Sequence, residues 1–356
     1  MKNPYMDSPP QAFWKSGVVN SSPFNISNIF TKKWDINPSQ TIATAGSCFA
    51  QHIAKHLMQN GYNVLDAEPA PPQLDISRHR AFGYSMYSAR YGNIYTTQQL
   101  SQLASEVVGE FSPANWIWQK GDKYYDALRP AVEPLGLDSE DEVRYHREYH
   151  LKRVHELFEE MDVLIYTLGL TETWRHKASQ TIYPTAPGTI AGDFKEEEFE
   201  FVNYDYQSVL NSFYDFQSTI TRLRKGKPLP KILLTVSPVP LTATASGNHI
   251  LQASTYSKSV LRAVAGYLAD TNEHICYFPS FEIITNQHAR SAFFETNLRS
   301  VREEGVNVVM KHFFSYFAAG INVTKEASAK KYNGMTTEFS NLDAQCEEVI
   351  LEAFAK

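Results

Sequence analysis

A parallel α/β sheet is the fold class that the sequence predicts, on two observations. The first is a set of short, continuous apolar runs, Asp162-Val-Leu-Ile-Tyr-Thr-Leu168, Lys231-Ile-Leu-Leu-Thr-Val236 and Ile275-Cys-Tyr-Phe278. Runs of this length and composition suit strands buried on both faces of a sheet. The second is that helical patterns separate them, at about 205 to 225 and 254 to 270, so that strands and helices alternate as right-handed crossovers require.

The elements follow in order. Residues 1 to 35 are rich in Pro, Asn and Ser with scattered aromatics, and are expected to form an extended arm packed on the body. Thr41 to Thr44 reads as a strand, Ala45-Gly46-Ser47-Cys48 as a turn, and the following residues as a helix with Ile53, Leu57 and Met58 on one face and an Asn60-Gly61 stop. Tyr62 to Leu65 reads as the next strand, completing a β-α-β opening. Thr96 to Val108 reads as a Thr-capped helix, and Phe111 to Leu137, rich in Trp, Pro and Gly, as an insertion over the sheet edge. Ser139 to Met161 is a long helical pattern that begins SEDE, with acidic residues at its positive end as the helix dipole favours. The α/β body is expected over 36–320, with a C-terminal extension over 321–356.

Composition narrows the function. The chain has 356 residues, 43% hydrophobic and 20% charged, enough apolar material for one large core. A net charge of −6 without a Lys/Arg run supplies no electrostatic footprint for nucleic acid. No stretch approaches a membrane span, and the N-terminal MKNPYMDSPPQAFW lacks the apolar core of a secretory signal, so the expected location is cytoplasmic, without membrane insertion. The three cysteines, Cys48, Cys276 and Cys346, are far apart and form no CxxC pair.

In parallel sheets ligands bind beyond the carboxyl ends of the strands. The residues expected there are Gly46-Ser47-Cys48, Gly169-Leu-Thr-Glu-Thr-Trp174, Ser237-Pro-Val-Pro240 and Pro279-Ser-Phe-Glu282. Small, hydroxylic and acidic residues thus gather at one edge. A serine at a strand-to-helix bend can be a nucleophile with the next backbone N–H groups facing its substrate, or simply the cap of the helix. The bend alone leaves both open.

The string TAGSCFAQHIAKHL resembles the GSCFA-domain proteins, related to the SGNH hydrolases and esterases. SARYGNIYT (88–96), TLGLTETW (167–174), IYPTAPGTIAG (182–192), TVSPVPLTAT (235–244), YSKSVLRA (256–263) and YFPSFEI (277–283) follow in order. The resemblance implies a flavodoxin-like three-layer α/β/α sandwich and acyl-ester chemistry, often on carbohydrate. It assigns Ser47 as nucleophile, with the Cys48 N–H in the oxyanion hole. Thr171 stands where the related enzymes place an oxyanion-hole Asn, and Asn93 in the Tyr91-Gly92-Asn93 turn is the candidate to supply the missing amide.

One block departs from the pattern. The Asp-x-x-His of the related esterases corresponds to Asn297-Leu-Arg-Ser300, and neither Asn297 nor Ser300 can replace imidazole. Serine near its ordinary pKa is a poor nucleophile without a base. Glu172 is the first candidate, ahead of Glu282 and of His52, His56, His249 and His288. His146, His150 and His155 lack the glutamate of a zinc helix and sit among Arg147, Lys152 and Arg153, so they read as a solvated, charged face with no metal. Phosphate-loop and dinucleotide patterns are absent, and no cofactor is expected. Arg90, Tyr91, Tyr95, Trp174, Arg299 and Ser300 are the candidate saccharide contacts. The expected activity is an O-acetylesterase or O-acetyltransferase acting on a bacterial saccharide; the alternatives are a catalytically degenerate glycan-binding or assembly component, and a transferase of another group.

Overall fold

The computed structural model describes residues 3–317 and 347–354. Its first half comprises β1 (Ile42–Gly46), α1 (Phe49–Gln59), α2 (Thr97–Val107), β2 (Ile117–Lys120), β3 (Lys123–Asp126), α3 (Glu140–Glu160), β4 (Val163–Leu168) and β5 (Glu172–His176). There follow β6 (Ile182–Tyr183), β7 (Phe199–Asn203), α4 (Tyr206–Leu223), β8 (Lys231–Val236), α5 (Ile250–Thr271), β9 (Ile275–Tyr277), α6 (Ser280–Thr285) and α7 (Glu303–Phe317). The expected extension over 321–356 lies outside the described residues except for 347–354, as does Cys346.

Four strands in the order β1-β4-β8-β9 pair in parallel, which confirms the α/β class. Side chains alternate across a strand, and here the alternation sorts them into two cores. Ala43, Leu164, Tyr166, Ile232, Leu234 and Ile275 face one core with residues of α2, α3, α4 and α5. Ile42, Val163, Ile165, Leu233 and Cys276 face the other with residues of α1, α6 and α7. Helices thus cover both faces, in the three-layer manner expected. The N-terminal segment joins the second core through Phe30, whose ring meets Phe278, Tyr316 and Phe317.

The helices begin where the side chains stop them fraying. Thr96 and Gln99 make a reciprocal capping box on α2, Ser139 accepts from the Glu142 N–H on α3, and Asp205 accepts from the Ser208 N–H on α4.

Three expectations need correction. Tyr62 to Leu65 is not a strand; Val64 forms only an isolated parallel bridge to Ile42. The 111–137 insertion is a β2–β3 hairpin that packs on a second, antiparallel sheet of order β6-β5-β7, with Trp118 stacked on Tyr183, rather than on the edge of the parallel sheet. Periodicity could not reveal that sheet, because its strands are only two to five residues long.

The third correction concerns α3. Arg147 and His150 are buried, not solvated. Arg147 bonds Glu106 and Asp126, Arg129 bonds Asp126 at 2.7 Å, and His150 Nδ1 meets Glu68 at 2.6 Å. These pairs tie α2, α3, β3 and the loop around Glu68 together, and each charge tolerates burial only because its partner is present.

That network predicts an acid limb of stability. Burial first, and then the nearby Arg129 charge, push the His150 pKa down to about 4; burial and the charges around it push His52 to about 4 as well. Between the ordinary histidine pKa and 4 the unfolded chain binds a proton at each site that the folded chain refuses, so stability falls as pH falls, by about 1.4 kcal/mol per pH unit per site. Burial of Asp126 is outweighed by Arg147 and Arg129, which lower its pKa, so its contribution is lost at still lower pH. Urea unfolding between pH 7 and 4 should show this slope, and His150→Gln should remove one proton's worth of it. An unchanged slope in that variant would refute the assignment.

Candidate active site

Everything at the site hangs on the end of β1. Gly46 pairs with Thr167 of β4 and adopts φ of 130°, a conformation that L residues rarely hold. A Cβ there would stand 2.3 Å from the Thr167 carbonyl oxygen. Only glycine lets the chain leave the strand this close to its neighbour and turn into α1. Ser47 follows, its N–H donating to the Thr167 carbonyl at 3.1 Å and its own carbonyl accepting from the Ala50 N–H at 2.8 Å.

The Ser47 side chain answers the question its position raises. It is 3% exposed, and its Oγ has no hydrogen-bond partner. α1 has no side-chain cap, so Ser47 does not serve as one. A buried hydroxyl left unpaired costs about 1–3 kcal/mol, and such groups call for a reason beyond folding. Thr167 Oγ1, on the neighbouring strand, is also buried without a partner.

Two loops close around this serine. The Ile94 N–H donates to the Gly46 carbonyl at 2.9 Å, which sets the Gly92-Asn93 turn beside the start of α1. The Tyr95 carbonyl accepts from the N–H groups of Gly169 and Leu170 at 3.0 and 3.1 Å, joining that turn to the loop after β4. A Cβ on Gly169 would meet Ser47 Cβ at 3.1 Å, so a bare glycine is what allows the loop to reach the serine.

The loop after β4 is held from α5. Ser257 Oγ accepts the Thr171 N–H at 3.0 Å, and buried Lys258 Nζ donates to the Gly169 carbonyl at 2.7 Å. Thr171 Oγ1 donates to Asn203 Oδ1 at 2.7 Å, so its hydroxyl is committed to β7 and not offered to an oxyanion. Glu172, at the start of β5, is buried and accepts from Thr244 Oγ1 at 2.8 Å.

The structure therefore brings Ser47, Cys48, Asn93 and Tyr95 together with Gly169, at the start of the loop that leads through Thr171 to Glu172. Cys48 and Cys276 are buried and are not joined in a disulfide. Among the described residues no imidazole or carboxylate bonds Ser47 Oγ. Three of the other candidate bases are engaged elsewhere. Glu282 bonds Tyr277 at 2.7 Å and pairs with Arg262, His249 caps α5 through the Leu251 N–H, and His56 Nδ1 meets the His52 carbonyl at 2.8 Å. His288 Nδ1 is buried without a partner on the short turn after α6.

Several expected saccharide contacts are spent inside the fold. Arg90 is buried and donates to the Phe82 and Val132 carbonyls and to Glu133, and Tyr91 is buried with its hydroxyl on the Thr44 carbonyl. Their side chains hold the loop and are not available to a ligand. Trp174 is half-buried on β5, edge-on to Phe194 and Phe201. The Asn297-to-Ser300 stretch is a turn in which Asn297 Oδ1 accepts from the Ser300 N–H at 2.9 Å and its amide donates to Ser300 Oγ at 3.0 Å. Arg299 is buried within that turn.

Lys258, Ser257 and Asn203 were not foreseen as part of the site. A lysine beside the apolar stripe Ala253, Leu261, Val264 of α5 was the available signal for Lys258. Asn203 carried none, since it belongs to the sheet that periodicity did not reveal.

Among the described residues, no group of three or more His, Cys, Asp and Glu could hold a metal, and no helix is long and apolar enough to cross a membrane. A model of the GSCFA family matches residues 41–313. No curated protein and no solved structure matches the chain significantly.

Proposed function

The chain belongs to the GSCFA family, and from that premise we propose that it is an acyl-transfer enzyme of SGNH type, an O-acetylesterase or O-acetyltransferase acting on a saccharide. The observation that carries this reading is the buried Ser47 hydroxyl, which neither caps α1 nor bonds any described group. Ser47 Oγ attacks the acyl carbon while its proton passes to Glu172. The oxyanion forms against the Cys48 N–H at the positive end of α1 and the Asn93 amide. The proton then goes to the departing saccharide oxygen, and the acyl group leaves Ser47 for water in an esterase or for a second hydroxyl in a transferase.

Turnover on this reading is slow. General-base assistance contributes roughly 10²–10⁴-fold, and in the resting site no base is bonded to Ser47. The same observation favours a second reading, a glycan-binding component of polysaccharide assembly that keeps the esterase scaffold without its chemistry. Intact-mass spectrometry during incubation with p-nitrophenyl acetate separates the two. The enzyme gains one acetyl group on Ser47 and releases nitrophenol; protein of unchanged mass that retains an O-acetylated oligosaccharide supports the second reading.

A further inference from the structure

We infer that a buried hydrogen-bond relay headed by Arg80 orients and polarises the Asn93 amide, which makes Arg80, Gln51 and Tyr87 positioning residues for the oxyanion donor. Its chemical use rests on the acyl-transfer reading above; its direction rests on the hydrogen bonds alone. Arg80 Nη2 donates to Gln51 Oε1 at 2.8 Å, Gln51 Nε2 donates to the Tyr87 hydroxyl at 3.1 Å, and the Tyr87 hydroxyl donates to Asn93 Oδ1. All four side chains are buried.

The head of the chain sets its sense. A guanidinium can only donate, so the Gln51 oxygen must face Arg80 and its NH₂ must face Tyr87. The Tyr87 oxygen is then an acceptor from Gln51 and directs its own proton to Asn93 Oδ1. The Asn93 oxygen is thereby fixed, and its NH₂ faces the opposite way as a donor. Without Arg80 both amides could turn over, and Asn93 could present oxygen, not N–H, to a developing oxyanion.

Charge explains why an arginine heads the relay. Arg80 is 9% exposed, no ion pair to a carboxylate is found for it among the described residues, and its Nε is buried without a partner. Its neighbours His52 and Lys55 are basic as well. A buried, uncompensated cation is costly. Donors aligned head to tail strengthen one another in a low-dielectric interior, so the Arg80 charge is felt at Asn93 Nδ2. On the acyl-transfer reading, negative charge develops at that end when the oxyanion forms. Gln51 lies one turn beyond Ser47 on α1, and Asn93 precedes the residue bonded to the Gly46 carbonyl. Two members of the relay, Gln51 and Asn93, therefore lie on the segments that flank the serine.

Two readouts test it in the full-length protein. Removing the Asn93 donor by Asn93→Ala should lower kcat about 10²-fold. Tyr87→Phe and Arg80→Met should each lower kcat about 10-fold with KM unchanged, Arg80→Lys should recover part of the loss, and none should cost more in the Asn93→Ala background. The side-chain amide resonance of Asn93, observed with ¹⁵N-asparagine, should shift in both Tyr87→Phe and Arg80→Met. An Asn93 amide that ignores the Arg80 substitution overturns the relay, as does an undiminished Tyr87→Phe effect in Asn93→Ala. A shifted amide in a protein that never turns over esters supports the relay and removes the acyl-transfer reading instead.

Discussion

Ser47→Ala is expected to lower acyl-ester turnover at least about 10³-fold and, at the same time, to raise stability by about 1 kcal/mol. The two effects have one cause. The Ser47 side chain packs against Gly169, its hydroxyl has no partner to offset its lost hydration, and on the acyl-transfer reading it is retained for attack on an acyl carbon. Alanine leaves no unpaired group and needs no extra space. A cap would behave in the opposite way, since removing one costs about 1 kcal/mol. Chemical denaturation and p-nitrophenyl acetate hydrolysis, measured on one preparation, check both halves. Turnover at the wild-type rate in the variant would take Ser47 out of the chemistry.

The second large effect is structural. Gly46→Ala should destabilise the protein by about 3–5 kcal/mol, the sum of backbone strain and overpacking. At φ of 130° any side chain is strained, and the added Cβ would press on the Thr167 carbonyl, which is backbone and cannot swing aside. Relief requires β1 and β4 to separate at their ends, where the Ser47 N–H bonds Thr167. The variant should therefore lose stability and activity together. A midpoint of urea unfolding within experimental error of wild type would show that the turn is not held as described.

The parallel sheet was legible because its strands are buried on both faces, and burial writes itself as unbroken apolar runs. β4 and β8 end within a residue of where the runs end. The bend at Ser47 was legible for a different reason, as a glycine and a serine between a strand pattern and a helix pattern. What could not be read was side-chain commitment in the irregular segment from 66 to 95. Arg90 and Tyr91 look like ligand contacts in sequence, yet they hold that segment together, whereas Arg80 and Tyr87 carry no pattern at all. The charged face of α3 misled in the same way, since a sequence does not show that Glu68, Glu106 and Asp126 arrive from elsewhere to pair with it.

Thr171 and the Asn297-to-Ser300 turn show how far a resemblance carries. Both fall at positions where the resemblance to SGNH esterases implies catalytic groups. In the structure the Thr171 hydroxyl is tied to Asn203, and Asn297 and Ser300 are tied to each other. What persists around Ser47 is the serine itself, the start of α1 and the Asn93 turn. On the acyl-transfer reading proposed above, that is an oxyanion site with a nucleophile and without an imidazole bonded to it, and it makes the state of the Ser47 hydroxyl the central issue.

Reaction of the intact protein with a fluorophosphonate, followed by mass mapping of the modified peptide, tests that state most directly. The probe needs only a nucleophilic serine and an oxyanion site, with no knowledge of the saccharide. A single phosphonyl adduct on Ser47, absent from Ser47→Ala and slowed in Asn93→Ala, is the predicted result. A protein that remains unmodified at Ser47 under conditions that label an ordinary serine esterase would contradict the account.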